Sequence, residues 1–148
     1  MVAYNIFSGG SRITQYFGEN PESYSNYGLL GHDGLDLVPV DNDFTVHSYT
    51  NGIAIHVYVS STYGNTVIVL DVENNLAVRY AHFKELYIQQ NQIIKFGDAL
   101  GVAGNTGNSS GIHLHTHVVP IDKFGQKLYS DNGFKGRCDP LPLIFRYL

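Results

Sequence analysis

The chain has 148 residues, enough for one domain with its own core, and a formal net charge of −4 with its nine Lys and Arg scattered singly. That balance gives no electrostatic footprint for nucleic acid or an anionic membrane surface, and no run approaches the roughly 18 apolar residues of a membrane span. A single cysteine, Cys138, excludes an internal disulfide, and no Cys–His signature surrounds it, so it reads as a buried or incidental thiol.

Sixteen glycines, eleven tyrosines and eight phenylalanines favour a turn-rich β protein. The opening MVAYNIFSGGSRI has neither a basic n-region nor an apolar h-region, so the sequence predicts no secretory signal peptide. NPESYSNYG (Asn20 to Gly28) reads as a polar loop. FTVHSYTNGIAIHVYVSS alternates and is rich in β-branched and aromatic residues. NTVIVLDV, a turn at Glu73 to Asn75, and LAVRYAHF read as a hairpin. KELYIQQNQ reads as a short helical or irregular turn. IIKFGDALGVAGNTGNSSG is a strand broken by glycines, then a Gly- and Asn-rich loop, and IHLHTHVVPI is the next strand. No long amphipathic helix is expected. The predicted architecture is mostly β: one antiparallel sheet or open, barrel-like domain over residues 1–148, with long loops walling a groove near the histidines.

Three of the seven histidines are His113, His115 and His117. In an extended strand, alternate residues share a side with Cα atoms about 6.5–7 Å apart, which suits a metal site or an acid/base pair. GHDGLD adds His32 and Asp36. A straight strand would hold these about 13 Å apart, whereas zinc takes its ligand atoms at about 2.0–2.2 Å. The segment must therefore bend, and Gly34 makes a bend easy. A metal bound by His32, Asp36 and His115 would have three protein ligands and an open position, the pattern of a catalytic zinc. His113, and His82 in RYAHF, would be left for proton transfer. Each segment also has a bland reading: a solvated histidine-rich edge strand, a chance His–Asp pair, a core-packed His82. His47, His56 and His117 look spare.

Together the segments resemble the lysostaphin/LytM-type zinc endopeptidases of bacterial cell walls. GHDGLDLVP, NGIAIHVY, YGNTVIVL, VRYAHF, IIKFGDALGVAGNTGNSSGIHLH and a late DPLPLI follow that family's order between Ile13 and Leu143. The resemblance implies a small antiparallel sheet with one zinc per chain held by His32, Asp36 and His115. It implies His113 as general base and His82 as a second catalytic histidine, orienting the water or stabilising the oxyanion. It also implies hydrolysis of stem or cross-bridge peptides of peptidoglycan by a protein acting outside the cytoplasm; with no signal peptide predicted, the chain reads as carried by a phage virion or secretion assembly, or as a domain excised from a longer chain. A catalytically degenerate wall-binding or regulatory module is the other reading, but such a module would lack a ligand or catalytic histidine, and here all five positions are filled. Some members carry a tyrosine shortly before the first ligand, for which Tyr27 is the nearest. The chain departs from the family's H-L-H-F-E in reading HLHTH, so Thr116 and His117 stand where an aromatic and an acid are usual. The extra imidazole offers a second, inhibitory zinc a seat. Ile121 to Cys138 is longer than usual and reads as a lid or groove wall. The loop Gly104 to Gly111 reads as a narrow wall suited to the Gly, D-Ala and diaminopimelate residues of wall peptides.

Overall fold

Alternating strands pair into one antiparallel sheet that does not close. The computed structural model describes residues 6–145, so the first five residues of the stretch read for a signal peptide lie outside it. The strands are β1 (Ser11–Gln15), β2 (Leu35–Pro39), β3 (Thr45–His47), β4 (Gly52–Ser60), β5 (Gly64–Asp71), β6 (Leu76–Leu86), β7 (Ile93–Ile94), β8 (Ala99–Ala103) and β9 (Leu114–Pro120). They are ordered β1-β2-β9-β6-β5-β4-β7, with β8 paired to β6 and β3 to β8. Two short helices, α1 (Pro21–Tyr24) and α2 (Leu141–Phe145), complete the named elements. Among the described residues no helix is long and apolar enough to cross a membrane.

The period of two separates a core face from a site face. Leu35 and Leu37 of β2, Leu114 and Val118 of β9, Val78 and Tyr80 of β6, and Val67 and Val69 of β5 are buried together. Each such side chain contributes about 1.5–3 kcal/mol through burial. Thr116 is buried among them, and its hydroxyl accepts from Tyr49 Oη at 2.6 Å and donates to the Arg79 carbonyl at 2.6 Å. That relay explains a threonine where an aromatic was expected. On the other face the register sets Asp36 opposite His115, and His115 opposite Ala81.

β6 is bent. Leu76 to Ala81 pair with β9, whereas Phe83 to Leu86 pair with β8. The break falls at His82, a non-glycine residue with φ 66°. Such a conformation persists only where its surroundings over-determine it. Here the His82 N–H donates to the Tyr63 carbonyl and its own carbonyl accepts from Gly104, both at 2.8 Å.

Several sequence expectations shift by a few residues. The Asn20–Gly28 loop contains α1 and a 3-10 turn, Ser25–Tyr27, with Pro21 supplying a φ already suited to a first helical position. The long alternating run splits into β3 and β4, because Ser48 and Thr50 turn inward and bond to the Thr50 carbonyl and to Asp71. Lys84 to Leu86, expected in a helical or irregular turn, extend β6. The hairpin turn before Leu76 forms as expected, with Asn75 at φ 53°. β9 begins at Leu114, so His113 lies just before the strand, held by a single bridge to Gly104.

Candidate metal centre

His32 lies in the bend before β2, Asp36 on β2 and His115 on β9. His32 Nε2 is 3.2 Å from Asp36 Oδ1, His115 Nδ1 is 3.0 Å from the same oxygen, and the two ring nitrogens are 3.2 Å apart. Four ligands placed tetrahedrally at zinc–nitrogen and zinc–oxygen bond lengths stand about 3.3 Å from one another. The triangle therefore has the size of one face of such a site.

The outer contacts set the chemistry of that face. His32 Nδ1 lies 3.2 Å from the Tyr16 carbonyl, an acceptor only, so it carries the proton and Nε2 presents a lone pair. His115 Nε2 lies 3.2 Å from His117 Nδ1 and 3.7 Å from Asp33 Oδ1, so the proton goes there and Nδ1 presents a lone pair. With both rings neutral, two imidazole lone pairs and a carboxylate then converge, an arrangement that a metal ion stabilises and that a proton shared between a ring and the carboxylate stabilises in its place. Burial alone would raise the Asp36 carboxyl, but the hydrogen bonds and charges of His115 and His32 hold it far below the usual carboxylate range. Burial would lower His32, but Asp36 outweighs this and raises it.

Gly34 is glycine for want of space as well as for the bend. A Cβ there would stand 2.5–2.6 Å from the His115 ring and the Thr116 carbonyl. The loop Gly104–Gly111 does wall the groove, through Asn108, Ser109 and Ser110. Its Gly107, however, is fixed by close packing on Gly64 and Thr62, and only Gly111 faces open space.

His113 and His82 stand beside the triangle with ring centroids 4.9 Å apart. His113 Nδ1 donates to the Gly111 carbonyl at 2.8 Å, and its Nε2 is 3.6 Å from Asp36 Oδ2. His82 Nδ1 donates to the Thr106 carbonyl at 2.6 Å. In the neutral form of each ring the proton thus sits on Nδ1, which leaves Nε2 as the free lone pair. Burial, with the neighbouring His115 and His113, pushes His82 down to about 4, so it is neutral at physiological pH.

Some functional neighbours were not foreseen. Asp33, next to His32 in GHDGLD, accepts from Tyr63 Oη and Arg137 Nη1, both at 2.8 Å. Arg137 comes from the long segment before the closing DP, which contributes Lys135 and Arg137 to a pocket adjoining the metal groove. Nothing in the sequence tied these three together. Tyr24, rather than Tyr27, packs on His32, with centroids 5.5 Å apart, while Tyr27 is exposed on the groove rim. His47 lies outside the lining of this groove and His56 lines a cavity farther along the sheet, while His117 is buried against His115. Asp33, His115 and His117 form a second group of donors within ion-binding range. Cations surround this group: Asp33 is paired with Arg137, and burial together with His115, Arg79, Arg137 and Lys127 lowers the proton affinity of His117. Cys138 sits outside this site, half-buried, its thiol raised by burial.

The protein is thus an open antiparallel sheet carrying, in a loop-walled groove, a two-histidine, one-aspartate triangle that could hold a metal ion. The chain belongs to peptidase family M23, whose model matches residues 30–127. It is 28% identical over 90 residues to the peptidoglycan DD-endopeptidase ShyA of Vibrio cholerae, covering 60% of this chain and 20% of that protein. ShyB of the same organism is 26% identical over 124 residues, 80% of this chain and 28% of that one. The chain therefore spans between a fifth and just over a quarter of the length of these two relatives. Among solved structures, the catalytic domain of lysostaphin from Staphylococcus simulans superposes with a TM-score of 0.71 at 20% identity, covering 90% of this chain and 92% of that one.

Proposed function

We propose that this chain is a zinc metalloendopeptidase domain that hydrolyses peptide bonds of bacterial peptidoglycan. The observation that carries the proposal is the convergence of the His32, Asp36 and His115 lone pairs beside two further imidazoles with unprotonated Nε2 atoms. The similarity to peptidoglycan DD-endopeptidases supports the substrate class. Zinc suits the donor set, and a zinc containing peptidase from Vibrio cholerae shares the fold at 26% identity. The substrate places the site of action in the cell wall, outside the cytoplasmic membrane.

Peptide hydrolysis requires a polarised carbonyl, an activated water and a protonated leaving amine. Zinc, when bound, supplies the Lewis acid for the carbonyl and the water. In this reading His32, Asp36 and His115 hold it. His113 Nε2 takes the proton of the attacking water and hands it to the leaving amine, because its other nitrogen is tied to Gly111. His82 orients the water by accepting a hydrogen bond. Its Nδ1–H is committed to Thr106 and its ring is neutral, so it has no proton to offer an oxyanion.

The test is digestion of purified walls, cross-linked either through D-Ala–diaminopimelate or through glycine bridges, with the products identified by mass spectrometry. Zinc-loaded wild type should release new amino termini, and His115→Ala should contain no zinc and release none. Full zinc occupancy in His115→Ala, or walls left intact by the zinc-loaded protein, would overturn the proposal.

A further inference from the structure

The site face of the sheet does not end at the triangle. The pairs Ala81–His115, Arg79–His117 and Ala77–Val119 follow one another across β6 and β9 on that face, and Ile68 of β5 lies opposite Arg79. Beyond His117 this floor opens into a cavity of about 330 Å³. Its floor is apolar, with Ile68, Ala77 and Val119, and three cations line it: Arg79, Lys127 and Arg137. No acidic residue does.

These cations are poorly compensated. Arg137 has Asp33 at 2.8 Å. Arg79 and Lys127 pair with no carboxylate among the described residues. Arg79 lies over the Tyr63 ring with its guanidinium carbon 4.2 Å from the centroid, and bonds through Nη1 and Nη2 only to the hydroxyls of Tyr58 and Thr66. Its Nε is buried without a partner. Lys127 donates to the Lys135 carbonyl, and burial together with Arg137, Arg79 and Lys135 pushes its ammonium below the usual range. A chain of net charge −4 has thus gathered unneutralised positive charge over an apolar floor, where each charge interacts more strongly than in water. Such a cluster is stabilised by a bound anion.

We propose that this cavity binds a carboxylate of the peptide substrate, on a residue flanking the scissile bond. The proposal rests on the hydrolase reading above and narrows it. Rows along a strand are about 6.5–7 Å apart, so the cavity lies about one to two rows from His115. An extended peptide covers that span in roughly two to four residues. A stem peptide carrying a diaminopimelate or glutamate carboxylate meets this requirement, and the interior of a glycine bridge does not. The site therefore selects acidic stem peptides over neutral bridges.

The test compares two cross-linked muropeptide dimers that differ only in whether the diaminopimelate and glutamate carboxylates are free or amidated. Wild type should show a KM about tenfold lower for the free acid, the scale of one lost charge-assisted hydrogen bond, with kcat nearly equal. Arg79→Gln and Lys127→Gln should each abolish that difference by raising KM for the free acid alone. Lys127 is at the surface, so its variant keeps the test valid if Arg79→Gln fails to fold. A parallel calorimetric titration of zinc-loaded protein uses the tripeptide L-Ala–γ-D-Glu–diaminopimelate, its amide, and inorganic phosphate as competitor. Wild type should prefer the free acid, and phosphate should not displace it at matched concentration. Equal handling of acid and amide overturns the carboxylate site while leaving the hydrolase reading standing. Displacement by phosphate makes the cavity a general oxyanion site and overturns the substrate assignment. Cleavage of neither dimer and of neither type of purified wall, with the binding preference intact, sinks the hydrolase reading and leaves the carboxylate site.

Discussion

Replacing His117 by alanine isolates the residue that most distinguishes this centre. His117 Nδ1 receives the Nε2–H of His115 at 3.2 Å, and both rings are buried. The alternative acceptor, Asp33 Oδ1, stands at 3.7 Å and belongs to a carboxylate that already bonds Arg137 and Tyr63. The variant therefore leaves a buried N–H unpaired, which costs about 1–3 kcal/mol of stability. It also frees the His115 ring to turn. Loss of such an outer partner weakens metal binding by about 10–100-fold, which is about 1.4–2.7 kcal/mol. His117→Gln retains an acceptor at that place and should stay within about threefold of wild type on the same grounds. Competition against a chelator of known affinity measures the change, with circular dichroism as a check on folding. Wild-type affinity in a folded His117→Ala would refute the idea that this contact fixes the His115 tautomer. The same titration addresses a second ion. With Arg79, Arg137 and Lys127 around His117, one tight zinc is expected per chain. Any inhibition of wall digestion by excess zinc should follow the same curve in wild type and His117→Gln. Relief in the variant would show that His117 does seat an inhibitory ion.

Three other outcomes are expected. His113→Ala should fold, keep its zinc and lose about 10²–10⁴-fold in kcat, the usual contribution of a general base; activity within a few-fold of wild type would assign the proton to another group. Gly34→Ala places a methyl 2.5–2.6 Å from the His115 ring, and the overpacking should cost about 1–3 kcal/mol and release zinc; unchanged zinc content by elemental analysis would contradict the close approach. In metal-free protein, His82 titrates at about 4 when folded against 6.5 in its ordinary state. The unfolded chain therefore takes up a proton that the folded chain refuses, and stability falls as pH drops from about 6.5 to about 4. Asparagine tolerates the positive φ at this position, so urea denaturation of His82→Asn should show a shallower fall over that window, and an identical slope would mean that His82 is not held neutral by the fold.

Local chemistry in the sequence determined a good deal of this protein. Period-two alternation in NTVIVLDV and LAVRYAHF specifies strands with one buried face, and the ordered His-x-x-x-Asp and His-x-His segments mark three side chains that the fold brings within 3.2 Å of one another. Such patterns are legible because they repeat with the geometry of a single strand. What the sequence left dark depends on contacts between distant elements. The tautomer of His115 is set by His117 two residues away, but the tautomer of His82 is set by the Thr106 carbonyl, 24 residues on. Asp33 meets Arg137 across 104 residues and Tyr63 across 30. The register of β6 against β9 and β5 alone decides that Arg79 shares the face of His117 and that its charge lies over an apolar floor. A chain lists its donors and acceptors in order, but which lone pair is left free is a property of the neighbours each group acquires on folding, and only the tertiary structure supplies those.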